Sequence, residues 1–155
     1  MPNSYHDLTI GSDYKIWMIT FNAEQEWHAS TLVPYNSTSF AARYNQAFAH
    51  DLTGSLDAAY QHLDYYSEND RVVNTAVIGT LNRRLNEDWS LIGRVAWIDD
   101  RDQLFGNSNG LEEQLELNWH HRETQVYLRL RNANLVTTQQ DETFQTLEIG
   151  LRRNF

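Results

Sequence analysis

This chain of 155 residues carries a formal net charge of −9, no cysteine, and one lysine against eleven arginines. The length fits one domain, 1–155, and the acidic balance argues against a nucleic-acid partner, which needs clustered basic residues. The missing cysteines exclude a disulfide scaffold and any thiolate metal site. No run approaches the roughly 18 apolar residues of a membrane-spanning helix. The longest apolar stretch, Ile16-Trp17-Met18-Ile19, is too short and too poorly flanked for a signal peptide, and Met1-Pro2 reads as the start of a mature or trimmed chain. Five Trp, eight Tyr and only two Pro suit strands better than helices.

The first 35 residues alternate least regularly and predict strands near 3–10, 13–22 and 26–33. Residues 38–50 put Phe40, Ala42, Tyr44 and Phe48 opposite Arg43, Asn45 and Ala47. Residues 55–66 begin with Leu56, Ala58 and Tyr60, then lose the pattern at His62 and Asp64. Residues 71–83 oppose Val73, Val77 and Leu81 to Asn74, Thr80 and Asn82. Residues 87–98 oppose Trp89, Leu91, Val95 and Trp97 to Ser90, Arg94 and Ala96, with Ile92 and Ile98 blurring the polar side. Residues 111–121 set Leu111, Leu115, Leu117 and Trp119 against Glu112, Gln114, Glu116, Asn118 and His120. Residues 124–135 set Val126, Leu128 and Leu130 against Tyr127, Arg129 and Arg131. The last nine residues set Leu147, Ile149, Leu151 and Phe155 against Glu148, Gly150 and Arg152. A helical stripe would mix Leu with Glu and Arg on every face, so the chain is all-β.

Short connectors sit at 51–54, 86–88 and 122–123; longer or more polar ones sit at 67–70, 99–110 and 137–141. They predict an antiparallel up-and-down meander of about ten strands, with short turns on one rim and longer loops on the other. If Arg122-Glu123 is a two-residue turn, facing residues sum to 245. Glu116 then opposes Arg129, while Leu115, Leu117 and Trp119 oppose Leu130, Leu128 and Val126. One turn sorts both faces.

The closing segment, with its apolar face, its charged face and its terminal Phe155, resembles the last strand of a Gram-negative outer-membrane β-barrel. The resemblance implies a transmembrane barrel in the bacterial outer membrane, either complete or the C-terminal part of a larger one. It also implies recognition of the C-terminal strand by the barrel-insertion machinery. A soluble β-barrel or sandwich would alternate too, and the aromatics separate the two readings. Phe48, Trp89, Trp119 and Phe155 fall on the apolar face at the short-turn rim, and Phe40 and Trp97 at the other. Two aromatic belts bounding an apolar band are what bilayer interfaces select.

On the barrel reading, Arg43, Asp57, Arg94, Glu116, Arg129, Arg131, Glu148 and Arg152 line the lumen. A narrow barrel would be largely filled by them. The segment Leu81-Asn82-Arg83-Arg84-Leu85-Asn86-Glu87-Asp88-Trp89-Ser90-Leu91 is similar in style to C-terminal barrels of exopolysaccharide-export and phage-adsorption outer-membrane proteins. Three functions stay open: export or transport of a polar solute or glycan, a non-conducting adhesion or receptor barrel, and a lipid-modifying enzyme. No catalytic residue, metal site or cofactor is assigned. Glu26, His28 and Ser30 share a face, but His-x-Ser alone is weak. Asp99, Asp100 and Asp102 in the long connector could hold Ca²⁺, but a solvated charged loop is the better account of them.

Overall fold

The structure, a computed structural model, describes residues 5–30, 33–66, 70–104, 106–138 and 141–153. Nine strands cover nearly all of them: β1 (Tyr5–Ile16), β2 (Ile19–Ser30), β3 (Tyr35–Ala49), β4 (Leu52–Tyr65), β5 (Asp70–Arg84), β6 (Trp89–Asp102), β7 (Gly106–His121), β8 (Thr124–Thr137) and β9 (Asp141–Arg153). They form one sheet in sequence order, every neighbouring pair antiparallel. No β1–β9 pairing occurs among the described residues. Among the described residues no helix is long and apolar enough to cross a membrane.

The all-β meander follows the sequence pattern, and the 122–123 turn gives the expected register: Glu116 faces Arg129, Leu115 faces Leu130, and Leu117 faces Leu128. The N-terminal expectation fails. Two long strands replace the three short ones, because β1 runs straight through Gly11-Ser12-Asp13 and turns at Trp17-Met18, inside the longest apolar stretch. Trp17 takes a left-handed backbone there, at φ 53°, as Arg122 does in its own turn. The expected loop over 99–110 is also mostly strand: β6 extends to Asp102 and β7 starts at Gly106. Likewise β4 continues through His62 and Asp64 to Tyr65. Connectors at 17–18, 50–51, 85–88 and 122–123 face connectors at 31–34, 66–69, 103–105 and 138–140, so the two rims differ only slightly.

Three of the hairpin turns are tied to the next hairpin. The carbonyls of Met18, Asp51 and Asp88 accept from the N–H groups of Asn45, Arg84 and His120 at 3.1, 2.7 and 2.7 Å. At the 85–88 turn the Asn86 carboxamide accepts the N–H groups of Asp88 and Trp89, both at 2.9 Å. This satisfies donors that an irregular segment would otherwise leave open.

Burial is inverted relative to a water-soluble sheet. Among the described residues the buried side chains are Ala96, Ser37, Asp70 and Asn118, and no large side chain is fully enclosed. Leu56, Leu81, Val95, Leu111, Leu115, Leu128, Leu130, Leu147 and Ile149 are exposed, Ile149 at 72%. Glu116, on the opposite face, has 13% of its side chain exposed. In a soluble sandwich these Leu and Val side chains would form the core. Here they form an outer surface that needs an apolar solvent.

Candidate functional site

The polar face is assembled by register. Pairing carries one face continuously from β1 to β9, and Arg43, Asp57, Arg94, Glu116, Arg129, Arg131, Glu148 and Arg152 all lie on it. Phe40, Phe48, Trp89, Trp97 and Trp119 all lie on the other face. Phe155 lies outside the described residues.

The polar residues gather into two networks across β6–β9. In the first, Glu112 receives Arg94 Nη1 at 2.8 Å from β6 and Arg131 Nη2 at 2.7 Å from β8. In the second, Arg129 bridges two acids: its Nε donates to Glu116 at 2.7 Å and its Nη1 to Glu148 at 3.0 Å. Asn118 Nδ2 donates to the same Glu116, at 2.8 Å. The Tyr127 hydroxyl donates to Glu148 at 2.5 Å, and the Arg129 guanidinium sits 5.1 Å from the centre of the Tyr127 ring. Tyr127 can reach Glu148 because it lies over Gly150, where a Cβ would stand 2.1 Å from the ring. Charge-assisted bonds of this kind are about twice as strong as neutral ones.

The N-terminal part of the face is sparser. Arg43 bonds Asp57 across β3–β4. His28 bonds Asp7 and stacks on Tyr35 at 4.7 Å, and the Tyr35 hydroxyl donates to Glu26 at 3.0 Å. Between these groups stand Ser37, Ser39, Ala41, Ala47, Ser55 and Ala59. Arg152 stands at the short-turn end, in register with Gln125.

The sequence paired Glu116 with Arg129 and put Glu26 and His28 on one face, but it did not assign Glu112 to the site or reveal Asp7 and Tyr35 as partners of His28. Glu112 could have been found from the β6–β7 register, which places it across from Ala96 and diagonal to Arg94. The His28 group could not, because the N-terminal turn was misplaced. Asp99 falls on the apolar face while Asp100 and Asp102 fall on the polar face, so the three do not converge on one ion. Among the described residues no three His, Cys, Asp or Glu gather as metal ligands.

On the apolar face Trp89 and Trp119 sit 6.5 Å apart near the 85–88 and 122–123 turns. Phe40 and Tyr60 sit 6.5 Å apart toward the other rim. Phe48 follows a register irregularity between Ala47 and Ala49 and lays its ring over Gly54, where a Cβ would meet it at 2.8 Å. Between these rings lies a groove of about 910 Å³ floored by Gly79 and Gly93 and walled by Leu56, Leu81, Val95 and Leu115.

No protein-family model and no curated protein matches the chain. Solved structures do. A loop L8 deletion mutant of OmpT, an outer membrane protein of Vibrio cholerae, superposes with a TM-score of 0.70 at 10% identity, over 97% of this chain and 53% of that one. Outer-membrane expressed OmpT of Vibrio cholerae gives 0.67 at 9% identity, over 97% and 56%. The KdgM porin aligns over 99% and 98% but with a TM-score of 0.36, too loose to carry weight. The chain spans about half the length of the OmpT barrels it matches. It has the fold of a bacterial outer-membrane β-barrel.

Proposed function

We propose that the chain forms part or all of a channel wall in the bacterial outer membrane, its polar face lining a path for a polar solute or glycan. The observation that carries this reading is the inversion: Leu, Val and Ile face outward on every strand from β4 to β9, while Arg–Glu networks occupy the opposite face. Water on the polar side and lipid on the apolar side is the environment that stabilises both faces at once. Lumen-lining roles then fall to Arg43, Asp57, Arg94, Glu116, Arg129, Arg131, Glu148 and Arg152. The aromatics Phe40, Phe48, Trp89, Trp97, Trp119 and Phe155 take the interface roles.

Mixed charge favours hydroxyl-rich or zwitterionic solutes over a strongly charged one, since each sign finds a partner and neither dominates. An exopolysaccharide-type glycan is the finer form of the same reading. The partners it implies are the surrounding outer-membrane lipid and the barrel-insertion machinery, engaged through the C-terminal strand.

The test is conductance of the purified full-length protein in planar bilayers. Stepwise ohmic conductance is expected, with ion selectivity shifted by Arg129→Gln. A folded, inserted protein without conductance would favour the adhesion or receptor reading. Lipopolysaccharide deacylation abolished by His28→Ala would instead establish an enzyme.

A further inference from the structure

Charges on the polar face are sorted along the strands as well as paired across them. Midway along, Asp57, Glu112, Glu116 and Glu148 each meet an arginine. Toward the rim with connectors 31–34, 66–69, 103–105 and 138–140, the same face presents Asp7, Glu26, Asp70, Asp100, Asp102 and Glu142. Among the described residues no lysine or arginine shares this end of the face. Arg71 and Arg101, at the same level, stand on the apolar face and bind Asp64 and Asp99 there. Asp7 meets the His28 imidazole, and Glu26 accepts the Tyr35 hydroxyl at 3.0 Å. Asp70 and Asp102 accept the N–H groups of Arg71 and Leu104, both at 2.8 Å. Hydroxyl and backbone donors hold a carboxylate without cancelling its charge. At the opposite end the face carries Lys15, Arg84 and Arg152 against Asp13. The adjoining turns add little of either sign, Asp51, Glu87, Asp88 and Glu123 being set against Arg83, Arg122 and Arg153.

We propose that this separation of charge along the strands makes the path directional and sets its solute class: the acidic mouth admits cationic solutes in preference to anionic ones. The charge separation stands on face and register alone, while its consequence for passage rests on the channel reading above. Adjacent strands lie about 4.8 Å apart, and a potential decays over about 8 Å at physiological ionic strength. Asp7 with Glu26, and Asp70 with Asp100 and Asp102, therefore act together, and a low-dielectric wall strengthens their field. Acidic side chains at a mouth select cations by this attraction. Among glycans it favours uncharged or amino-bearing chains over acidic ones. When the acidic rim is at positive potential, cations enter through the mouth that enriches them and anions through the end with Lys15, Arg84 and Arg152. Both carriers accumulate, so the current exceeds that at the opposite polarity, which depletes both.

Single cysteines read the local potential: Ser108→Cys beside Asp100 and Gln125→Cys beside Arg152, in the full chain folded in detergent micelles. Heat-modifiable gel migration confirms that each variant is folded. Matched cationic and anionic methanethiosulfonate reagents are compared, each rate divided by that of a free thiol. The cationic-to-anionic ratio should be at least about threefold above one at position 108 and below one at 125. Both should approach one in about 1 M salt, where screening shortens to about 3 Å. Asp100→Asn with Asp102→Asn should bring the ratio at 108 at least halfway to one, and Arg84→Gln, at the far end, should leave it unchanged. Should the double variant fail to fold, Asp100→Asn alone should shift the ratio in the same direction. In planar bilayers single channels should pass more current when the acidic rim is positive, orientation being assigned by a bulky impermeant thiol reagent acting on position 108 from one chamber. Equal ratios at both positions, or a ratio at 108 indifferent to both the double variant and Asp100→Asn, would overturn the charge separation. Symmetric current, or rectification of the opposite sense, would overturn its consequence for passage. Opposed ratios in a protein that conducts nothing would uphold the charge separation and overturn the channel reading.

Discussion

From β6 to β9 the polar face is cross-linked by Arg94–Glu112–Arg131 and by Glu116–Arg129–Glu148, each network crossing three strands. From β1 to β4 the same face holds local pairs only, Asp7–His28, Asp13–Asn22, Glu26–Tyr35 and Arg43–Asp57, with Ser and Ala on β3 and β4 between them. The apolar face shows no such division: Leu56 on β4 and Leu130 on β8 are about equally exposed, at 50% and 49%. The apolar face is thus similar in both halves, while the polar face is cross-linked in one half and only locally paired in the other. On the channel reading proposed above, the cross-linked half would brace the wall and the small side chains of the other half would leave width for a solute.

If both halves share one apolar solvent, a charge on the apolar face should cost the same in each. Leu130→Arg and Leu56→Arg should each lose about 2–4 kcal/mol in urea unfolding from lipid vesicles, the cost of arginine near the bilayer midplane. A large difference between the two would break the symmetry of the outer face. On the polar face the halves should diverge. Arg129→Gln strands Glu116 and Glu148 together and should destabilise the protein in the same assay, though less than loss of a fully buried partner would, because water reaches part of the network. Combined with Glu116→Gln it should cost less than the sum, whereas additivity would mean that the two side chains do not act together.

Gly150→Ala should cost about 1 kcal/mol by pushing the Tyr127 ring away from Glu148, with the Tyr127 fluorescence environment altered in the same variant. The smallest effect belongs to the locally paired half. Arg43→Gln should change stability by about 0–1 kcal/mol, since 64% of the Arg43 side chain is exposed. An Arg43 effect equal to that of Arg129 would erase the proposed difference between the halves.

The C-terminal half was legible in the sequence because a two-residue turn at Arg122-Glu123 leaves only one register that sorts both faces. Glu116 and Arg129 followed from it without further information. The N-terminal half was not, for two physical reasons. Gly11-Ser12-Asp13 carries turn-forming residues yet lies within a strand, where Asp13 accepts a 2.7 Å hydrogen bond from Asn22 on β2. The true turn hides among Ile16, Trp17, Met18 and Ile19, where Trp17 adopts a backbone conformation that bulky residues seldom take. Polar strand ends misled in the same way at Asp99–Asp102, because strands that pass beyond an apolar band become hydrophilic before they end. Alternation thus locates faces well and strand ends poorly.

The central claim is that adjacent residues along one strand face lipid and water in turn. The chain has no native cysteine, so single-cysteine variants report without background. Cysteines placed one at a time at positions 114 to 117 of β7, in protein inserted in lipid vesicles, should alternate. Positions 114 and 116 should react with a small water-soluble thiol reagent, while 115 and 117 stay protected and, once spin-labelled, contact lipid-soluble relaxants. Reactivity at 115 and 117 with protection at 114 and 116, or no alternation at all, would contradict the account.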